Sequence, residues 1–139
     1  MALELESLRK TVSALQRSLD ASQKAMASLD DDMRDTVRAG VIQHFEMAYE
    51  QCWKFIQRWV RENVSSDEAD YPRTRKELFR IAARHGLISD PLPWFSFGDA
   101  RNLTSHTYDE AQAISVYDVA LQFLPYAQEL LGRLEERND

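Results

Sequence analysis

Apolar residues recur along the first part of the chain at alternating three- and four-residue steps. Leu5, Leu8, Val12, Leu15, Leu19, Met26 and Leu29 fall on one seam, and Ser22 occupies the seam position between Leu19 and Met26. Glu, Lys, Arg, Gln and Ser fill the other faces. The pattern predicts an amphipathic helix with a narrow, coiled-coil-like stripe. Asp30, Asp31 and Asp32 interrupt it, and one of them is expected to cap a second helix over about Met33 to Asn63. Val37, Val41, Ile42, Phe45, Tyr49, Cys52, Trp53, Ile56 and Val60 form its apolar face, which Phe55 and Trp59 widen, so this helix needs cover on more than one side. Gly40 costs about 1 kcal/mol relative to Ala inside a helix, and a close helix–helix approach there is one compensation.

Val64 to Pro72 reads as a polar connection in which Tyr71, preceding proline, leans away from helical geometry. A shorter helix follows, with Leu78, Phe79, Ile81 and Ala82 inward and Gly86 as its stop. Leu87 and Ile88 then fold back onto the core. Asp90 caps a fourth segment, with Pro91 at the first helical position, expected to run from about Leu92 to Ser105. Asp109 or Thr107 caps the last helix, about Glu110 to Glu136, whose apolar positions are Ile114, Tyr117, Leu121, Leu124, Leu131 and Leu134, and which Pro125 is expected to kink. No strand pattern survives. The expectation is an all-α fold: an antiparallel up-and-down bundle of four or five helices.

Length and composition narrow this further. The 139 residues suit a single helical domain spanning 1–139. A formal net charge of −6 argues against non-specific attachment to nucleic acid, which needs a surplus of cations facing phosphates, but leaves room for a local phosphate site. One cysteine, Cys52, precludes an internal disulfide and a Cys-based zinc site, and its place in an apolar pattern reads as a buried thiol. The expected compartment is the cytoplasm, because Glu4, Glu6, Arg9 and Lys10 break the only leader-like stretch and no apolar run approaches the ~20 residues that span a bilayer. No membrane association, metal or cofactor is expected.

One stretch does not read as scaffolding: Gly98 to Tyr108, which gathers Asp, Arg, Asn, Ser, Thr, His and Tyr. Arg101 offers a planar, permanently charged fork for phosphate oxygens. His106 can exchange a proton near neutral pH, and Tyr108 carries a hydroxyl that can orient a phosphate or accept one. Asn102 and His106 share a face on a continuous helix, whereas Arg101 would sit about 140° from His106. Either the helix ends before His106, or Arg101 meets the His106 of a second subunit. A structural reading fits the same spacing: Arg and His suit the negative end of a helix, and Tyr108 can pack with its hydroxyl outward. His44 and His85 read as structural.

At these residues the sequence resembles a known family. The string RNLTSHTYD, the earlier VIQHFEMAYEQCWKFI and the segment PR…ELFRIAARHGLI resemble the nucleotidyltransferase substrate-binding proteins, within the wider HEPN group of helical domains. The resemblance runs from about Leu15 to Leu131. It implies a homodimeric helical bundle whose partner is a separately encoded minimal nucleotidyltransferase, commonly in a bacterial two-gene toxin–antitoxin arrangement, with nucleotide or RNA as a further partner. It implies that Arg101, Asn102, His106 and Tyr108 form a nucleotide or phosphate site. In HEPN ribonucleases the corresponding Arg and His are the metal-independent cleavage pair, here Arg101 stabilising the phosphorane and His106 handling protons. In toxin members the tyrosine of His-x-Tyr, here Tyr108, accepts AMP from the nucleotidyltransferase. Two functions follow: a substrate-binding partner subunit, or a ribonuclease toxin.

Overall fold

The computed structural model describes residues 2–64, 74–106 and 109–137, with the side chain of His106 outside that set. Among the described residues there are five α-helices and no strands: α1 (Glu6–Ala25), α2 (Asp31–Asn63), α3 (Arg75–Arg84), α4 (Pro91–Asn102) and α5 (Glu110–Glu136), with 3-10 turns at Met26–Ser28 and Thr104–His106. They form an antiparallel bundle in which α2 is the central strut, packed by α1, α3, α4 and α5. The all-round cover that its aromatic content demands is therefore supplied from within the chain.

The α1 seam lies as its spacing dictates. Leu5, Leu8, Val12, Leu15, Leu19 and Ser22 are buried, and Met26 and Leu29 are half-buried where the helix tightens into the 3-10 turn. Ser22 is fully enclosed. Its hydroxyl donates to the Leu19 carbonyl at 2.8 Å and lies 2.7 Å from the Tyr117 hydroxyl of α5. Since the serine proton is committed to Leu19, the tyrosine is the donor across that gap. A polar residue is thus tolerated in the seam because every one of its needs is met.

Asp30 caps α2, its Oδ1 accepting from the Met33 amide at 2.8 Å, so the helix begins at Asp31, two residues before the expected Met33. Arg34 secures the turn by donating to the carbonyls of Met26 and Ala27. Asp90 and Asp109 cap α4 and α5 in the same way. Gly86 ends α3 with φ at +75°, the left-handed conformation that favours glycine. Its carbonyl and that of His85 accept from Arg133 and Arg137 of α5. The stretch 65–73, with Tyr71, and the alternative cap Thr107 lie outside the described residues.

Three expectations need correction. The inward stripe of α5 is Ala113, Val116, Ala120, Phe123, Ala127, Leu130 and Leu134; Tyr117, Leu121, Leu124 and Leu131 flank it half-buried, and Ile114 is exposed. Three alanines in this stripe leave room beside Phe123 for the rings contributed by α2 and α4. α4 stops at Asn102 rather than Ser105, the Leu103 amide turning back to the Ala100 carbonyl. The close approach sought at Gly40 is absent, since nothing lies within 4 Å of a Cβ built there; it occurs at Gly98, where a Cβ would stand 2.8 Å from the Tyr49 hydroxyl.

Phe123 is the hub of the core. Phe45 of α2 and Trp94 and Phe97 of α4 meet it edge-to-face, with ring centroids 5.2, 5.6 and 5.1 Å away. Such arrangements add about 0.5–1.5 kcal/mol per pair beyond burial. They fix the roll of α4 about its own axis, and with it the direction in which Arg101 leaves the helix.

Candidate functional site

Arg101 projects from the last turn of α4 toward α2. Its Nε donates to Glu50 Oε1 at 3.2 Å, one terminal nitrogen donates to Thr104 Oγ1 at 3.1 Å, and the other lies 3.5 Å from Glu46 Oε1. Thr104 in turn donates to the Arg101 carbonyl at 2.8 Å, satisfying a helix-end acceptor. The guanidinium is therefore held by two acids of α2 and by Thr104 just past its own helix. With three of its edges engaged, it is a pre-oriented cation rather than a freely rotating one.

Glu50 is the junction of this network. Besides Arg101, the same Oε1 lies 3.4 Å from an Arg75 terminal nitrogen, and Oε2 accepts from the Trp53 indole nitrogen at 2.9 Å. Arg75 sits over the Trp53 ring at 4.5 Å and near the Tyr49 ring at 5.6 Å. One carboxylate thus bridges two arginines and ties α2 to α3 and α4. Burial pushes the Tyr49 hydroxyl above its ordinary pKa, and the Arg75 guanidinium partly opposes that rise. Burial also pushes the Cys52 thiol well up, which keeps it protonated and unreactive.

Asn102, one residue beyond Arg101, is exposed and faces the other way, into a cleft of about 450 Å³ between α3 and α4. Arg75 and Lys76 line its α3 wall, Asp99 and Asn102 its α4 wall, and Trp94 and Phe95 contribute rings. Gly98 belongs to this cleft, and its missing side chain leaves room for the Tyr49 hydroxyl behind it. The structure thus divides Arg101 and Asn102 between two adjoining surfaces. His106 ends the 3-10 turn, so the chain has left the α-helix before reaching it; the His106 side chain and Tyr108 lie outside the described residues.

Glu46, Glu50, Arg75 and Thr104 were not singled out from the sequence. The available signal was the pair of acids four residues apart on a helix otherwise rich in aromatics, next to Tyr49 and Trp53. Among the described residues no group of three or more His, Cys, Asp or Glu is placed to hold a metal ion. No described helix is long and apolar enough to cross a membrane.

The protein is an all-α helical bundle that carries an anchored arginine at the end of α4, beside a cleft lined by both charged and aromatic side chains. The chain belongs to the family described as "Nucleotidyltransferase substrate binding protein like", which matches residues 3–136. It is 38% identical over 106 residues to a Haemophilus influenzae protein named "Probable ribonuclease HepT", covering 76% of this chain and 73% of that one. A solved Haemophilus influenzae structure, described as the fold of a substrate binding domain of a nucleotidyltransferase, superimposes with a TM-score of 0.87 at 31% identity, covering 95% of this chain and 99% of the other. A Thermus thermophilus protein superimposes with a TM-score of 0.64 at 27% identity, over 86% of this chain and 98% of that one.

Proposed function

We propose that this chain is the helical partner subunit of a minimal nucleotidyltransferase, in a bacterial two-gene toxin–antitoxin pair, and that it works as a homodimer in the cytoplasm. Arg101, Asn102, His106 and Tyr108 contribute its nucleotide or phosphate contacts, Asn102 from the adjoining α3–α4 cleft. The observation that carries the reading is the anchoring of Arg101: Glu50, Glu46 and Thr104 hold its guanidinium in one orientation at the end of α4, so a phosphate that displaces a carboxylate meets a side chain already ordered. Family membership supplies the partner. Tyr108 is the acceptor, its oxygen attacking the α-phosphate of ATP on the nucleotidyltransferase with release of pyrophosphate. The test is co-expression with the nucleotidyltransferase encoded beside it, co-purification, and intact mass of the wild type and of Tyr108→Phe. A stable complex with an AMP adduct absent from the variant is expected. Failure to co-purify overturns the subunit reading; a complex without adduct overturns the acceptor role alone.

A second reading is a metal-independent ribonuclease toxin in which Arg101 stabilises the phosphorane and His106 handles protons across the dimer. The name of the Haemophilus influenzae relative favours it. Expression of the wild type would then arrest growth and cleave RNA in the presence of EDTA, while Arg101→Ala and His106→Ala would not. Equal growth for all three removes this reading.

A further inference from the structure

The cleft between α3 and α4 is not used by the anchored arginine. Its volume, about 450 Å³, falls within the range of about 300–1,000 Å³ typical of small-ligand sites. Its two walls differ in chemistry. The α3 wall is cationic, from Arg75 and Lys76, and Lys76 extends over the Phe95 ring at 5.6 Å. The α4 wall presents Asp99 and Asn102, one helical turn apart, so both side chains leave on the same face. Both are exposed. The half-buried Phe95 ring lies between the walls beside the enclosed Trp94 and is already met by cations, with Lys76 and, at 5.1 Å, the Arg80 guanidinium over it.

A carboxylate accepts hydrogen bonds and cannot donate them, whereas a carboxamide does both. Together they suit the edge of a nucleobase that carries an exocyclic amino group, which donates to the carboxylate while a ring nitrogen meets the carboxamide. The cationic wall opposite suits the phosphate of the same nucleotide.

We infer that the α3–α4 cleft is a base-selective nucleotide subsite, in which Asp99 and Asn102 read an amino-bearing base and Arg75 and Lys76 face its phosphate. The inference rests on the nucleotide reading given under Proposed function and adds the location and base class. The occupant is a nucleoside monophosphate unit, either free or within an RNA strand.

The test is calorimetric titration of the full chain with AMP, CMP and UMP separately, followed by Asp99→Ala, Lys76→Ala and Arg101→Ala, each checked for unchanged circular dichroism. AMP and CMP are expected to bind about tenfold more tightly than UMP, the scale of one well-placed base contact. Asp99→Ala abolishes that ratio, and Lys76→Ala weakens all three ligands while leaving the ratio intact. Equal affinity for the three nucleotides, no binding, or a ratio lost with Arg101→Ala but kept with Asp99→Ala overturns the assignment. An adenosine trinucleotide separates the sources: tighter binding than AMP assigns the cleft to an RNA strand, equal or weaker binding to the free nucleotide, and both require the loss with Asp99→Ala. Capture of the partner nucleotidyltransferase is measured with the same variants. Capture without base selectivity overturns the cleft and spares the subunit reading; selectivity without capture does the reverse.

Discussion

Replacing Gly98 by alanine sets two effects of known sign against each other. Alanine is favoured over glycine in a helix interior by about 1 kcal/mol. The added methyl, however, would stand 2.8 Å from the Tyr49 hydroxyl oxygen, where ordinary contact begins at 3.4 Å. Tyr49 cannot swing aside, because it is 1% exposed and its ring is packed among Phe45, Phe79 and Phe123. Forcing extra volume into such a site costs about 1–3 kcal/mol. Gly98→Ala is therefore expected to destabilise the wild type by about 0–2 kcal/mol. In a Tyr49→Phe background the clashing atom is gone, and the same substitution is expected to stabilise by about 1 kcal/mol. Urea unfolding of the four proteins gives the coupling energy directly, expected at about 1–3 kcal/mol. Gly40→Ala is the internal control: with nothing within 4 Å of its Cβ, it should stabilise in either background by a similar about 1 kcal/mol. A Gly98→Ala effect of the same sign and size in both backgrounds would refute the argument, because the helix term alone would then account for it.

Glu50→Gln keeps the shape but removes the charge shared by Arg101 and Arg75. With the pairs partly exposed, thermal unfolding should show a loss of about 1 kcal/mol that shrinks in high salt; a loss insensitive to salt would mean that the charge is not what matters. Cys52 is fully enclosed and its thiol pKa is raised, so it should resist iodoacetamide in the native protein and react in urea; labelling at the native rate of a free thiol would contradict its burial. Tyr49 holds its proton more tightly folded than unfolded, so stability should be intact below about pH 10 and fall as pH rises beyond it. Stability-against-pH curves for wild type and Tyr49→Phe should diverge there, with the variant falling less steeply.

What could be read along the chain was whatever depended on near neighbours. The α1 seam, with Ser22 in line, follows from periodicity alone, and the caps at Asp30, Asp90 and Asp109 follow from side chains that reach only two or three residues onward. The α5 stripe lies about one position away from the one its large apolar residues suggest, because alanines meet the aromatic core while Leu121, Leu124 and Leu131 shield its margins. Gly40 and Gly98 look alike in sequence, and only the tertiary approach of Tyr49 separates them. Of the site, Arg101 and Asn102 were visible as residue types. The acids that anchor Arg101 lie 51 and 55 positions earlier, and no local spacing connects a helix end to a carboxylate on another helix.

Arg133 and Arg137 reach from the end of α5 to the carbonyls of Gly86 and His85, 47 and 52 residues back along the chain. Contacts that close so long a loop bear their ordering cost before they contribute anything, which places them late on the folding route. Removing them, with Arg133→Ala or Arg137→Ala, is expected to speed unfolding in urea and leave the refolding rate unchanged; slower refolding would contradict that order.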